Sequence, residues 1–190
     1  MAIGGLVATM GIVVAAVYAV SAAKLSRRYV VEVPPLAIPD DATTVAAGQH
    51  LLTLAKCGEC HGDDLGGKVI IDEPLLGRIA GPNLTPAGPV GARSDGELVA
   101  AIRYGLSTEG RSLLGMPTGE HFYFSDAELG AMIAAIRALP PVTRTIPSQR
   151  IGLVFRALYL AGQIELVGQD EVDIHGPRPA HVAPGVTVTY

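Results

Sequence analysis

Residues 57–61 read Cys57-Gly58-Glu59-Cys60-His61, and the rest of the chain is read outward from them. Two cysteines three apart put both thiols on one side of a helical turn. There they can add across the two vinyl groups of a haem and form thioethers. The histidine that follows then lies under the ring and can ligate the iron. A C-x-x-C-H run is therefore the attachment pattern of a c-type haem. Other chemistries fit less well. A structural zinc site needs four ligands, and the sequence has no second cysteine pair. A thioredoxin-like redox pair sits in a βαβ context, whereas the flanks here read as helical. A disulfide scaffold would use more cysteines at wider spacing. The expected cofactor is one haem c, covalently bound through Cys57 and Cys60, with His61 on the iron.

Composition agrees with a chain that packs around such a group. The 190 residues suffice for one domain with appendages. A hydrophobic share of 49% argues against disorder, which follows from too little apolar surface to bury. Glycine (23) and proline (14) are plentiful while aromatics are only 5%, so a large flat hydrophobe is missing from the core and a porphyrin would supply it. The net charge of −4 and the lack of a long basic run argue against a nucleic-acid partner.

Hydropathy is concentrated at the N-terminus. Ala2 to Ala23 is a run of 22 residues without a charge. As a helix it reaches about 33 Å, against roughly 30 Å of bilayer hydrocarbon. Lys24, Arg27 and Arg28 follow at once, with Tyr18 and Tyr29 near interfacial depth. A cleaved signal peptide is the alternative, because Ser21-Ala22-Ala23 could be a cleavage site. The run is longer than a usual signal core, however, and no basic n-region precedes it. Residues 1–28 are therefore expected to be a single transmembrane anchor that meets the lipid bilayer through residues 2–23. Small residues at Gly4/Ala8 and Ala15/Ala19 could face another helix, a weak signal.

Residues 29–41 carry Pro34, Pro35 and Pro39 and read as a stiff, extended linker. Thr43 or Thr44 is expected to cap a helix that runs through about Lys56. Ser94-Asp95-Gly96-Glu97 and Ser125-Asp126-Ala127-Glu128 each form a capping box ahead of an apolar periodic run. Pro140-Pro141 stops the second of these helices. The stretch from Lys68 to Arg93 is Gly/Pro-rich and reads as irregular. Residues 148–166 read as an additional apolar helix, which either packs on the head or meets the bilayer surface or a partner. Residues 167–190, with Pro177, Pro179 and Pro184, read as an extended tail.

A low-spin electron carrier needs a sixth iron ligand, and methionine opposite histidine raises the potential. Met1 and Met10 lie in the anchor, and Met132 sits on the apolar face of a helix. Met116 lies in the loop Leu114-Gly115-Met116-Pro117, where Pro117 holds its predecessor extended. Met116 is the expected ligand. His121 is the second candidate, unless it is an ordinary surface histidine. His50 is expected on a helix surface, and His175 and His181 in the tail.

On these residues the span from Ala42 to Val142 resembles a class I cytochrome c domain. It is most similar to the membrane-bound cytochrome c subunits of bacterial dehydrogenase, respiratory and photosynthetic complexes. The matching pieces, in the family's order, are Cys57-Gly58-Glu59-Cys60-His61, Gly81-Pro82-Asn83-Leu84-Thr85, Arg103-Tyr104-Gly105, Gly110-Arg111-Ser112-Leu113, Met116-Pro117 and Ser125-Asp126-Ala127-Glu128-Leu129. The resemblance implies an all-α fold, with a haem domain over 42–147 in which an N-terminal helix crosses a C-terminal one. It implies that the Pro82 carbonyl accepts from the Nδ1–H of His61 and so orients the ring. It also implies that Asn83, Tyr104 and Arg111 reach the haem edge or its propionates.

The activity the resemblance implies is one-electron transfer rather than enzymatic turnover of a substrate. The chain would be a fixed subunit of a respiratory, photosynthetic or dehydrogenase complex, or a tethered donor or acceptor to redox protein partners at the membrane. A haem-based sensor or small-ligand binder with a displaceable sixth ligand is the alternative, and a peroxidase-like site a weaker one. The family's location implies a single pass through the bacterial inner membrane with the haem domain in the periplasm, although the cations after the anchor would favour the opposite side. Gly185 to Tyr190 resembles the lead-in to a further haem domain, but no second C-x-x-C-H follows. Eight acids lie between Glu32 and Glu73, and four arginines with no acid between Arg137 and Arg156. That asymmetry is either a pair of solvated faces or a dipole that orients the head on a docking surface.

Overall fold

The computed structural model describes residues 2–165, 168 and 172–176. The first element, α1 (Ala2–Leu25), is one uninterrupted helix of 24 residues. It is long and apolar enough to cross a membrane, and its apolar window is not buried inside the protein.

The head is built on two crossing helices, α2 (Ala42–Leu54) and α6 (Asp126–Arg137). They approach closely because small residues meet at the crossing. A Cβ on Gly48 would run into the Ala131 carbonyl oxygen, so glycine is required there. Asp41, rather than either threonine, caps α2, its carboxylate accepting from the Thr43 and Thr44 backbone N–H groups. This cap holds the Asp41 carboxyl below its ordinary pKa, chiefly through the Thr44 hydroxyl. The helix stops at Leu54, two residues short of the expected end. Both capping boxes form, on α4 (Asp95–Tyr104) and on α6. Leu98, Val99, Ile102, Leu129, Met132, Ile133 and Ile136 from these two helices are buried in one core with Leu52 of α2 and Phe122. Short helices α3 (Cys57–His61) and α5 (Thr118–His121) complete this set.

The fold is mainly helical, as expected, but a small antiparallel sheet is added to it. Strands β1 (Lys68–Glu73), β2 (Gly77–Gly81) and β3 (Arg150–Ile151) pair in the order β1-β2-β3. Val69, Ile70 and Ile71 supply β-branched residues inside the Gly/Pro-rich stretch, and the Pro74–Leu76 turn closes the hairpin. The third strand arrives from far along the chain, Gly77 facing Ile151 and Arg78 facing Arg150. Because residues 150–151 are strand, the expected helix over 148–166 is replaced by a shorter one, α7 (Leu153–Leu160).

Residues 29–41 are extended, but they do not form a free spacer. Tyr29, Val31, Val33, Leu36 and Ile38 pack against the main core, and the Tyr29 N–H donates to the Gly110 carbonyl at 2.8 Å. The segment is a strap laid over the head. In the tail, Ile174 is buried in the same core. Pro177, Pro179, His181, Pro184 and the Gly185–Tyr190 stretch lie outside the described residues, as does the end of the expected 148–166 helix.

Candidate functional site

Cys57, Cys60 and His61 share one short helix. Lys56 enters it in the left-handed conformation (φ 54°), which turns the chain sharply out of α2. The two thiols are unpaired and half-buried. Burial pushes the Cys57 thiol up to about 11, so it stays protonated at neutral pH. Gly81 of β2 lies directly against this turn. A Cβ there would strike the Cys60 carbonyl oxygen, so the close approach of hairpin and motif needs glycine.

That approach brings Pro82 to His61. The His61 Nδ1–H donates to the Pro82 carbonyl oxygen at 2.8 Å. The hydrogen bond selects the tautomer with a bare Nε2, the form in which imidazole binds a metal. Burial lowers the pKa of the ring, against the opposing effect of the Pro82 bond, so His61 is kept neutral.

A cavity of about 610 Å³ opens beside this histidine. Cys57, Cys60, His61, Pro82, Asn83 and Met116 all line it. Leu52, Leu98, Ile102, Met132 and Ile136 make its inner wall apolar. Size and lining are those of a site for one large, mostly apolar ligand. Among the described residues, no three His, Cys, Asp or Glu side chains converge into a group that could hold a metal ion.

The outer wall comes from a segment that the sequence did not distinguish. Residues 144–149 line the cavity and are stitched to the loop after β2. The Asn83 side-chain amide donates to the Val142 carbonyl at 2.6 Å, and its oxygen accepts from the Thr85 N–H at 2.8 Å and hydroxyl at 2.7 Å. The Val142 N–H in turn donates to the Thr85 hydroxyl oxygen at 3.1 Å. Gln149 donates to the Ala80 carbonyl at 2.6 Å, and Arg144 reaches both Asp64 and the Gly67 carbonyl. Asn83 is thus at the cavity, but its polar atoms are taken up by the clamp.

The remaining expected residues divide. Met116 lies at the cavity, partly buried, as expected for a loop side chain presented inward. Tyr104 is buried edge-on against Phe122 with ring centroids 6.1 Å apart, and Arg111 is an exposed residue ion-paired with Glu109 at 3.1 Å. Neither lines the cavity. His50 is exposed on α2 and His175 is exposed in the tail.

His121 differs from the surface histidine that was one expectation for it. It is only 2% exposed, it lines the cavity, and its ring stacks on Phe124 at 5.7 Å. Neither ring nitrogen has a hydrogen-bond partner among the described residues. Burial lowers its pKa, so it is a neutral imidazole with an unused donor and acceptor. No local pattern marks this burial in the sequence. It depends on where α5 sets the ring in the folded head, at the cavity that Met116 also lines.

The four arginines between 137 and 156 are engaged within the molecule. Arg137 pairs with Asp95 at 2.8 Å, Arg144 with Asp64 at 2.8 Å, and Arg150 with Asp72 at 3.9 Å, while Arg156 donates to the Ser21 hydroxyl oxygen at 2.8 Å. These contacts bridge separate segments of the molecule. In comparisons with known proteins, no family model and no curated protein matches the chain.

Proposed function

We propose that the chain is a membrane-anchored, single-haem cytochrome c that passes one electron at a time between redox partners at the membrane. The observation that carries the reading is the His61–Pro82 hydrogen bond. It leaves the Nε2 of a neutral, buried imidazole free beside two unpaired thiols, in a mostly apolar cavity sized for a macrocycle. Cys57 and Cys60 would hold a haem by thioether bonds, and His61 and Met116, which line the same cavity, would ligate its iron. The haem supplies a one-electron iron couple when bound. The protein's own part is to fix the ligands, exclude water with the 144–149 wall, and orient the imidazole through Pro82. No residue is needed to move a proton or activate a substrate, so the reading is a carrier and not an enzyme.

The apolar α1 supports the anchor, with the head on the periplasmic side of a bacterial inner membrane, where C-x-x-C-H cytochromes are matured. A sensor or ligand-binding role stays second, because the orphaned His121 lies close enough to the cavity to stabilise a bound ligand. The test is covalent retention. Expressed with a haem-attachment system, the full chain should keep its haem through acid–acetone extraction, and Cys57→Ser/Cys60→Ser should lose it. Extractable haem in the unsubstituted chain would overturn the reading.

A further inference from the structure

The junction between α1 and the head is packed, and its packing reaches down the transmembrane helix. Val14, Val17, Ser21, Lys24 and Leu25 form one stripe that is partly or fully covered, while every described residue of α1 before Val14 is exposed. The covering element is α7. Arg156 sits over the Tyr18 ring at 4.9 Å and donates to the Ser21 hydroxyl oxygen, and Lys24 sits over the Tyr159 ring at 4.5 Å. Leu25 joins Ile151, Phe155 and Tyr159 in a second, smaller core.

These contacts set a direction. Arg156 meets α1 one to two turns before its end and Tyr159 meets it near the end, so the start of α7 points back toward the bilayer. The stripe from Val14 to Leu25 covers about 16 Å of helix at 1.5 Å per residue. With roughly 30 Å of hydrocarbon to fill, a helix of 24 residues has only about 6 Å to spare. Much of the covered stripe must therefore lie at headgroup or upper acyl depth.

The outward face of α7 matches that depth. Phe155 and Tyr159 point inward; Ala157, opposite them, is exposed, as is Ala161 just past the helix, while Leu153 and Leu160 beside Ala157 are half-covered, and all four are apolar. The single charge of the helix, Arg156, is turned to Ser21 and the Ile151 carbonyl. Beside the start of α7 lies the tip of the β1–β2 hairpin, tied on by the Val154 N–H to the Leu75 carbonyl. The Leu75 side chain at that tip is 65% exposed.

We propose that α7 and the Leu75 tip form a second membrane contact, seated in the lipid surface beside α1, so that the head is held against the bilayer in one orientation. The occupant of the apolar face is lipid, because the face is continuous with a helix that lipid already surrounds. This rests on the reading of α1 as a membrane span.

The experiment uses full-length, haem-loaded protein in phosphatidylcholine/phosphatidylglycerol vesicles. Nitroxide labels are placed one at a time by Leu75→Cys, Ala157→Cys, Val7→Cys in α1 and Gln49→Cys on exposed α2. Power-saturation EPR then compares accessibility to oxygen and to a water-soluble nickel chelate. Positions 75 and 157 should favour oxygen several-fold more than position 49. Water-like accessibility at 75 and 157 with a lipid-like signal at 7 overturns the proposal but leaves the anchor. A water-like signal at 7 overturns the anchor reading itself.

Discussion

Replacing Asn83 with alanine should loosen the outer wall of the cavity at a cost of about 3 kcal/mol. Asn83 is 1% exposed and Thr85 fully buried, and the amide makes three hydrogen bonds of 2.6–2.8 Å. Alanine removes all three. It strands the buried Thr85 N–H, which alone costs about 1–3 kcal/mol, whereas the Val142 carbonyl is half-buried and recovers part of its loss from water. The Thr85 hydroxyl still accepts from Val142. A loss of about 3 kcal/mol is a large fraction of the roughly 5–15 kcal/mol that stabilises an ordinary domain. Urea unfolding of the detergent-solubilised protein, followed by far-UV dichroism and by haem absorbance, reads the change. Asn83→Asp should cost at least as much as alanine, because it buries an unpaired carboxylate and sets an acceptor against the Val142 carbonyl where the amide donated. A cost below about 1 kcal/mol for alanine, with the wall intact, would refute the idea that the clamp holds residues 142–149 in place.

Further outcomes follow from single contacts. Gly48→Ala should lower stability by about 1–3 kcal/mol, read as a drop in Tm, because its methyl group meets the Ala131 carbonyl oxygen where α2 crosses α6. Ser125→Ala should cost about 1 kcal/mol by the same urea assay, through loss of the capping bond to the Glu128 N–H at 3.2 Å. His121 is kept neutral by burial, so its folded pKa lies below its unfolded value of about 6.5. As pH falls through that value the unfolded chain takes up a proton that the folded chain refuses, and stability should decline from about pH 6.5 downward. His121→Phe should make that limb shallower without removing it, because the buried His61 also refuses the proton. The depressed carboxylates Asp64 and Glu97 contribute only at lower pH, as stability lost when pH falls below their ordinary range.

What the sequence made legible was local. The two capping boxes are each complete within four residues, so Ser94 and Ser125 announced their helices without help from the fold. The C-x-x-C-H run and the charge-free N-terminal stretch are likewise readable in one window. The sheet was not, because β1 is a short apolar run amid glycines and prolines and gains its third strand from Arg150–Ile151, far along the chain. Residues 29–41 advertise stiffness through their prolines, but only the folded head offers Val31, Val33, Leu36 and Ile38 a surface to cover. The clamp around Asn83 pairs residues 57 and 59 positions apart and has no periodic signature. Arg111 and Tyr104 show the opposite limit. Their place in a motif suggested the cavity, yet an ion pair at the surface and an aromatic contact in the core account for them.

The central claim is a haem held between His61 and Met116. The most direct measurement is the optical spectrum of the full-length protein, oxidised and reduced, beside that of Met116→Ala. The account predicts a covalently bound low-spin haem with the weak long-wavelength band of a methionine–ferric bond. That band should vanish in the variant, whose reduced form should bind carbon monoxide. Unsubstituted protein that lacks the band and binds carbon monoxide readily would contradict it, with the iron open to ligands and Met116 not on it.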